Sequence, residues 1–361
     1  SGGSDTNKSF HLKSGVGLYG GFLGDETSRG QRSWVDNPTY LTGLHGTPHP
    51  YFVLISSLAN EFTVLDGFTV SGDSGIQVVD GYLTLQNLTI RNNQNAGNGG
   101  GLESNGGVVT IENVQFIGNT AENGGAIYSA SGSLRIKDSL FQNNAAPLGY
   151  GGAIWILQAT HLEMENVSFI GNSAKNGGGI FADGSIILIT NAVFYMNNTS
   201  TPGGTIVNAF GSTTTIISST FMDNSGNNPS VSVYSRASTL EIRNSIFWET
   251  QISPIFDYGN SNIEVDYSDI KGGFVGVGNI DSDPAFGTIG NNGGMTPTIP
   301  LSESSPAKDA VPVEFCTRAD GNPLSSDQRG IMRPQGFGCD MGSFEIVVTL
   351  DQNLFMPIIF R

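Results

Sequence analysis

The chain has 361 residues, 50 of them glycine, and only 13% are charged, where ordinary soluble domains carry about 25%. With 15 prolines and no Gly-X-Y period it is not collagen, and no run reaches the ~18 apolar residues of a membrane span. A formal charge of −16 argues against nucleic acid and anionic lipid as partners.

Residues 1–61 read as a lead-in: a cap and an early coil. Ser1 to Ser9 is polar, without an initiating methionine or a basic leader, which suggests a processed product. Strand-like residues 10–22 precede Asp25 and Ser28, a pattern that predicts a short helical turn beside the first coils. Such a cap guards the open strand edges of a repeat array. His45 and His49 follow in a Gly/Pro-rich loop, an incomplete ligand set for a metal.

From 62 to 273 two phrases recur in step. The first, apolar-x-apolar-x-Asn-x-x-Phe-x-x-Asn, runs from Val109 to Asn119 and returns at Leu134–Asn144, Leu162–Asn172 and Ile187–Asn197. Its anchor falls at Val70, Ile90, Phe116, Phe141, Phe169, Phe194, Phe221, Phe247 and Ile270. The second is Gly99-Gly100-Gly101-Leu102, repeated from Gly124, Gly151, Gly177 and Gly203. Two motifs sharing one period predict an all-β solenoid, a parallel β-helix of about nine coils of ~25 residues.

Stacked coils place like on like. Phe116, Phe141, Phe169, Phe194, Phe221 and Phe247 are expected to form one internal column. Asn113, Asn166 and Asn191 mark one row of turns, and Asn119, Asn144, Asn172 and Asn197 a second, in which side chains can bond from coil to coil. Tyr128, Trp155 and Phe181 share the position after the Gly-Gly phrase. They form either an outward ladder suited to glycan contact or part of the buried stack.

The outward positions of the strands carry alternating charges, such as Glu112, Lys137 and Glu165, Arg135 beside Glu163, and Arg243 beside Asp266. Opposite charges on neighbouring strands ordinarily stabilise a sheet. Only Glu241 and Glu264 form an acidic pair without a cationic neighbour, so the residues nominate no catalytic, cofactor or metal site. Calcium at Asp281-Ser282-Asp283 is set against simple turn capping there.

Residues 274–345 hold the only two cysteines, Cys316 and Cys339, a spacing that fits a disulfide and a compartment outside the cytoplasm. Arg329, Arg333, Asp327 and Asp340 gather around them and read as a small ion-paired region. The tail 346–361 ends in Leu354, Phe355, Met356, Pro357, Ile358, Ile359 and Phe360, too few to cross a bilayer. It is a strand along the flank or an assembly element pairing with a second subunit.

Phe116-x-x-Asn119 with Gly124-Gly-Ala-Ile127 resembles the repeat of polymorphic outer-membrane proteins and related bacterial surface β-helices, over residues 99–224. The resemblance implies a right-handed helix and a secreted, extracellular or cell-surface location. Asp283-Pro-Ala-Phe286, Asn291-Asn-Gly-Gly294, Asp327-Gln-Arg-Gly330, Arg333-Pro334 and Gly342-Ser-Phe-Glu345 are similar to the choice-of-anchor Q domain, which also implies surface placement. The expected function is a non-enzymatic structural or adhesive surface protein, able to self-assemble into a sheath or filament, with self-association or cell-envelope components as partners. A carbohydrate-active enzyme (lyase or glycosidase) and a glycan-binding module stay open beside it.

Overall fold

The computed structural model describes residues 9–43, 51–250 and 254–348. Its strands pair in parallel from coil to coil and build a β-helix. The nine anchors from Val70 to Ile270 lie in one register, and Leu41 stands on Val70 as a further rung in front of them. Pairing therefore begins within the N-terminal segment, where Phe10–Leu12 and Gly17–Tyr19 stack on Phe52–Ala59 and Val64–Asp66. The short helical turn beside them is a 3-10 turn, Arg29–Gln31.

Each coil contributes to two sheets. In the fifth, Ile127–Ala130 belongs to the first sheet, while Ser133–Lys137 and Leu140–Gln142 belong to the second. Period-two alternation sends Leu134 and Ile136 inward and Arg135 and Lys137 outward. The six phenylalanines are fully buried, with neighbouring ring centroids 4.9, 4.8, 4.6, 4.5 and 4.2 Å apart and planes within 10° of parallel.

The Gly-Gly corner has a steric cause. Gly99, Gly124, Gly151 and Gly177 all have φ between 60° and 66°, the left-handed region that costs other residues most. At the following position a Cβ on Gly152 would lie 2.2 Å from the Gly178 carbonyl oxygen of the next coil. Neither site admits a side chain.

Two ladders of amides run through the turns, in opposite directions. In the inner one, the backbone N–H and Nδ2 of Asn93 both donate to Asn119 Oδ1, and the pattern repeats through Asn144, Asn172, Asn197 and Asn224. The other Nδ2 hydrogen of each donates to a backbone carbonyl of the preceding coil, as from Asn144 to Phe116. The ladder ends on Glu249, whose two carboxylate oxygens accept from Asn224 N–H and Nδ2 at 2.7 and 2.8 Å. In the second row Asn113, Asn166 and Asn191 have left-handed φ. There Asn113 donates to Asn87 and Asn87 to Asp66, whose charge is met by Arg32 at 2.5 Å.

Residues 274–348 fold back over the outer face of the second sheet. Ile217 and Ile246, apolar residues pointing away from the solenoid core, pack there with Leu301, Val311, Leu324 and Met341. Gln328 Nε2 donates to Ser168 Oγ, Ser343 N–H to Thr220 Oγ1, and Arg318 pairs with Glu165 at 2.9 Å. The Cys316–Cys339 disulfide closes this region. Asp327–Arg329 and Arg333–Glu345 form ion pairs inside it.

Asn144→Ala leaves two buried donors of Asn119 without an acceptor, at ~1–3 kcal/mol each. It should lower the unfolding free energy by about 3–5 kcal/mol, read from the urea midpoint. Burial raises the Glu249 carboxyl from 4.5 to about 7, against the opposing bonds from Ser232 and Asn224. The folded chain thus favours the neutral acid. Its stabilising contribution is complete below pH 4.5 and disappears as pH rises through 7, a change on the order of 3 kcal/mol. Glu249→Gln keeps one oxygen for Asn224 and turns an amide toward Ser232; thermal melts from pH 5 to 8 should lose this part of their slope. A slope unchanged by the substitution would contradict the assignment.

Candidate functional site

The outer face of the first sheet differs in character from the second. One outward position reads Gln77, Glu103, Tyr128, Trp155, Phe181, Val207, Tyr234 and Phe256 along successive coils. Tyr128, Trp155 and Phe181 therefore stand in one column outside the solenoid, separate from the internal phenylalanine stack. Tyr128 and Trp155 pack edge to face at 5.1 Å. Tyr150, brought in by the strand Ala145–Tyr150, lies over the column with its centroid 4.5 Å from Phe181 and 5.8 Å from Trp155. That cover leaves Phe181 only 7% exposed.

A groove of about 160 Å³ opens beside this column, lined by Tyr150, Asn176, Phe181, Phe210, Tyr234 and Arg236, with Val207 and Ala209 as its floor. Phe210 and Tyr258 are more than half exposed. The Arg236 guanidinium lies over both rings, 4.9 Å from Phe210 and 5.6 Å from Tyr258, within cation–π range. Trp155 Nε1 is buried and meets no acceptor.

Phe210 is held at φ 55°. The left-handed region costs a bulky residue about 1–2 kcal/mol; the same corner is left-handed in neighbouring coils, at Ser131, Gln158, Gly184 and Ala237, and Phe210 is the aromatic residue among them. The fold pays for an aromatic ring at this corner and leaves most of it in solvent.

Asp183 stands two coils before Arg236 in the next outward position, with Ala209 between them. Burial alone raises its carboxyl above the usual range. Burial raises the Tyr128 and Tyr234 hydroxyls too, assisted by Glu103 and Tyr258 respectively. These rings are neutral, and the groove offers aromatic faces, hydroxyls, an amide and one cation. No second charged group acts on Asp183, so the paired carboxylates of glycoside hydrolysis are not assembled there.

On the second sheet the outer charges are matched. Arg135 meets Glu163 at 3.0 Å, and Lys137 stands in register between Glu112 and Glu165. Arg243 is in register with Asp266, but its ion pair is with Glu241, on its own strand, at 2.8 Å. Glu241 thus has a cationic partner after all. Asp283 accepts from Ala285 N–H and Asp281 from Gly272 N–H, and no group of three or more metal-ligating side chains occurs among the described residues. His45, His49 and the tail residues Leu354, Phe355, Met356, Ile358, Ile359 and Phe360 lie outside the described residues.

The groove residues that escaped the repeat reading are Tyr150, Phe210, Tyr234 and Arg236. Tyr234 was within reach, since extending the Gly-Gly register one coil past Ile206 places Val233 inward and Tyr234 outward. Tyr150 sits where the pairing register shifts, so no period points to it.

The family model described as right handed beta helix region matches residues 124–292. The Chlamydia polymorphic membrane protein repeat matches 113–130. Among curated proteins, the chain is 31% identical over 103 residues to the metabotropic glutamate receptor-like protein R of Dictyostelium discoideum. That match covers 28% of the chain and only 6% of the other protein's length. No solved structure matches. No helix among the described residues is long and apolar enough to cross a membrane. With the register of its coils, these matches make the chain a right-handed parallel β-helix carrying a polymorphic-membrane-protein-type repeat.

Proposed function

We propose that the chain is a non-enzymatic adhesive module of the cell surface, a rigid rod whose outer aromatic groove holds carbohydrate. Aromatic faces stack on the C–H faces of pyranose rings, and flanking amide, hydroxyl and guanidinium groups meet sugar hydroxyls. The coil spacing of about 4.8 Å is commensurate with a pyranose unit, so a saccharide lying along the rod meets equivalent positions in turn. The observation that carries the reading is the outer groove itself, where Tyr150, Phe181, Phe210 and Tyr234 gather beside Arg236 and Phe210 stays more than half exposed. Surface location is supported by the polymorphic-membrane-protein-type repeat and the disulfide.

Phe210→Gly separates binding from folding. The variant should melt at or above the parent temperature, because glycine relieves the left-handed strain. In calorimetric titration or on an immobilised glycan array it should lose about tenfold in affinity, near the 1.4 kcal/mol of one good aromatic contact. Tyr150→Ala should weaken binding similarly. An array without a single ligand would sink the proposal, and release of reducing ends or unsaturated products would replace it with an enzymatic one.

A further inference from the structure

The charge arrangement along the groove selects among carbohydrates. We infer that it takes an otherwise neutral oligosaccharide carrying one carboxylated sugar, seated with its carboxylate on Arg236. This rests on the carbohydrate reading above and adds a specificity to it.

Arg236 is exposed, and no carboxylate among the described residues lies within ion-pair distance of it. In a chain with twice as many acidic as basic residues, a cation left without an anion inside a groove is conspicuous. Its guanidinium is not loose: it lies within cation–π range of both Phe210 and Tyr258, at 4.9 and 5.6 Å. A guanidinium fixed in this way keeps its edge free for two parallel bonds to a carboxylate, at lower entropic cost than a free side chain. The rings that orient the cation are the ones a pyranose would stack against, so one sugar can meet both.

A carboxylate beyond the groove sets the limit on charge. Asp183 stands two coils away, at about 10 Å for a rise of 4.8 Å per coil, and its carboxylate would oppose a second anionic unit. The formal charge of −16 adds a diffuse repulsion. At physiological ionic strength that field is screened beyond about 8 Å, whereas the Arg236 contact is direct. A single carboxylate gains more at Arg236 than it loses to the distant charge. A uniformly charged polyuronate meets Asp183 as well and loses.

The test compares lactose, sialyllactose (lactose capped by one carboxylated sugar) and a tetragalacturonate by calorimetric titration of the chain in 150 mM salt. Sialyllactose should bind at least tenfold more tightly than lactose, and the tetrauronate should bind less tightly than sialyllactose. Arg236→Gln should abolish the preference, bringing sialyllactose to the affinity the same variant shows for lactose, while Phe210→Gly weakens both. Equal affinities for lactose and sialyllactose, a preference that survives Arg236→Gln, or a tetrauronate that binds tightest would overturn the acidic specificity and leave the carbohydrate reading standing. Failure of all three saccharides to bind would overturn both.

Discussion

Each inner asparagine of the solenoid from Asn119 to Asn224 is committed in three directions. Its Oδ1 accepts two N–H groups from the coil before, and its Nδ2 donates once to the next coil and once to a backbone carbonyl behind. In a buried turn these backbone groups would otherwise be unsatisfied, at a cost that few side chains could offset. An aliphatic residue bonds none of them, and serine reaches too few. The ladder fixes the turn, the turn fixes where each strand begins, and the phenylalanine column follows, because Phe141 can face Phe169 only if every coil enters in the same register.

The outer surface is divided along the same lines. The second sheet is closed over by residues 274–348 on its later coils, with apolar contacts from Ile217 and Ile246 and polar ones from Ser168, Thr220 and Glu165. That region keeps its shape through a small core around Val311, Leu324 and Met341 together with a disulfide and buried ion pairs. Removing one partner of such a pair would leave an uncompensated buried charge, so these residues are constrained together. Among the described residues, no such cover lies over Phe210 and Tyr258 on the first sheet, and both rings are more than half exposed.

The period of the solenoid was legible because inward positions obey one rule in every coil: apolar at the strand, Asn at the turn, Gly where a Cβ would strike the neighbouring carbonyl. The disulfide followed from composition, and the column through Tyr128, Trp155 and Phe181 from its place after the Gly-Gly phrase. Whether that column pointed in or out was not legible, since aromatic residues suit both sides. Tyr150 stayed hidden because it sits at a register shift, and Phe210 because its corner, left-handed in every neighbouring coil, carries a different residue type each time. Docking of the C-terminal region onto Ile217 and Ile246 had a signal in the letters, two apolar residues at outward positions, but long-range packing names its partner only in three dimensions.

The opposite directions of the two amide ladders give the rod a built-in grammar of length. An asparagine in the inner row passes the pattern on, because it accepts and donates; a carboxyl group accepts the incoming N–H groups but has no amide to offer the next coil, and so ends the sentence. Glu249 does this at one end of the inner row, and Asp66, with its charge answered by Arg32, does it at the other end of the second. Asp138 is such a stop within the second row, accepting from Asn166, so only the inner row, from Asn93 to Glu249, is built of like coils throughout. Duplicating or deleting one would lengthen or shorten the rod by one step without rewriting either end, a route by which tandem copying of a short stretch of gene yields proteins of graded reach.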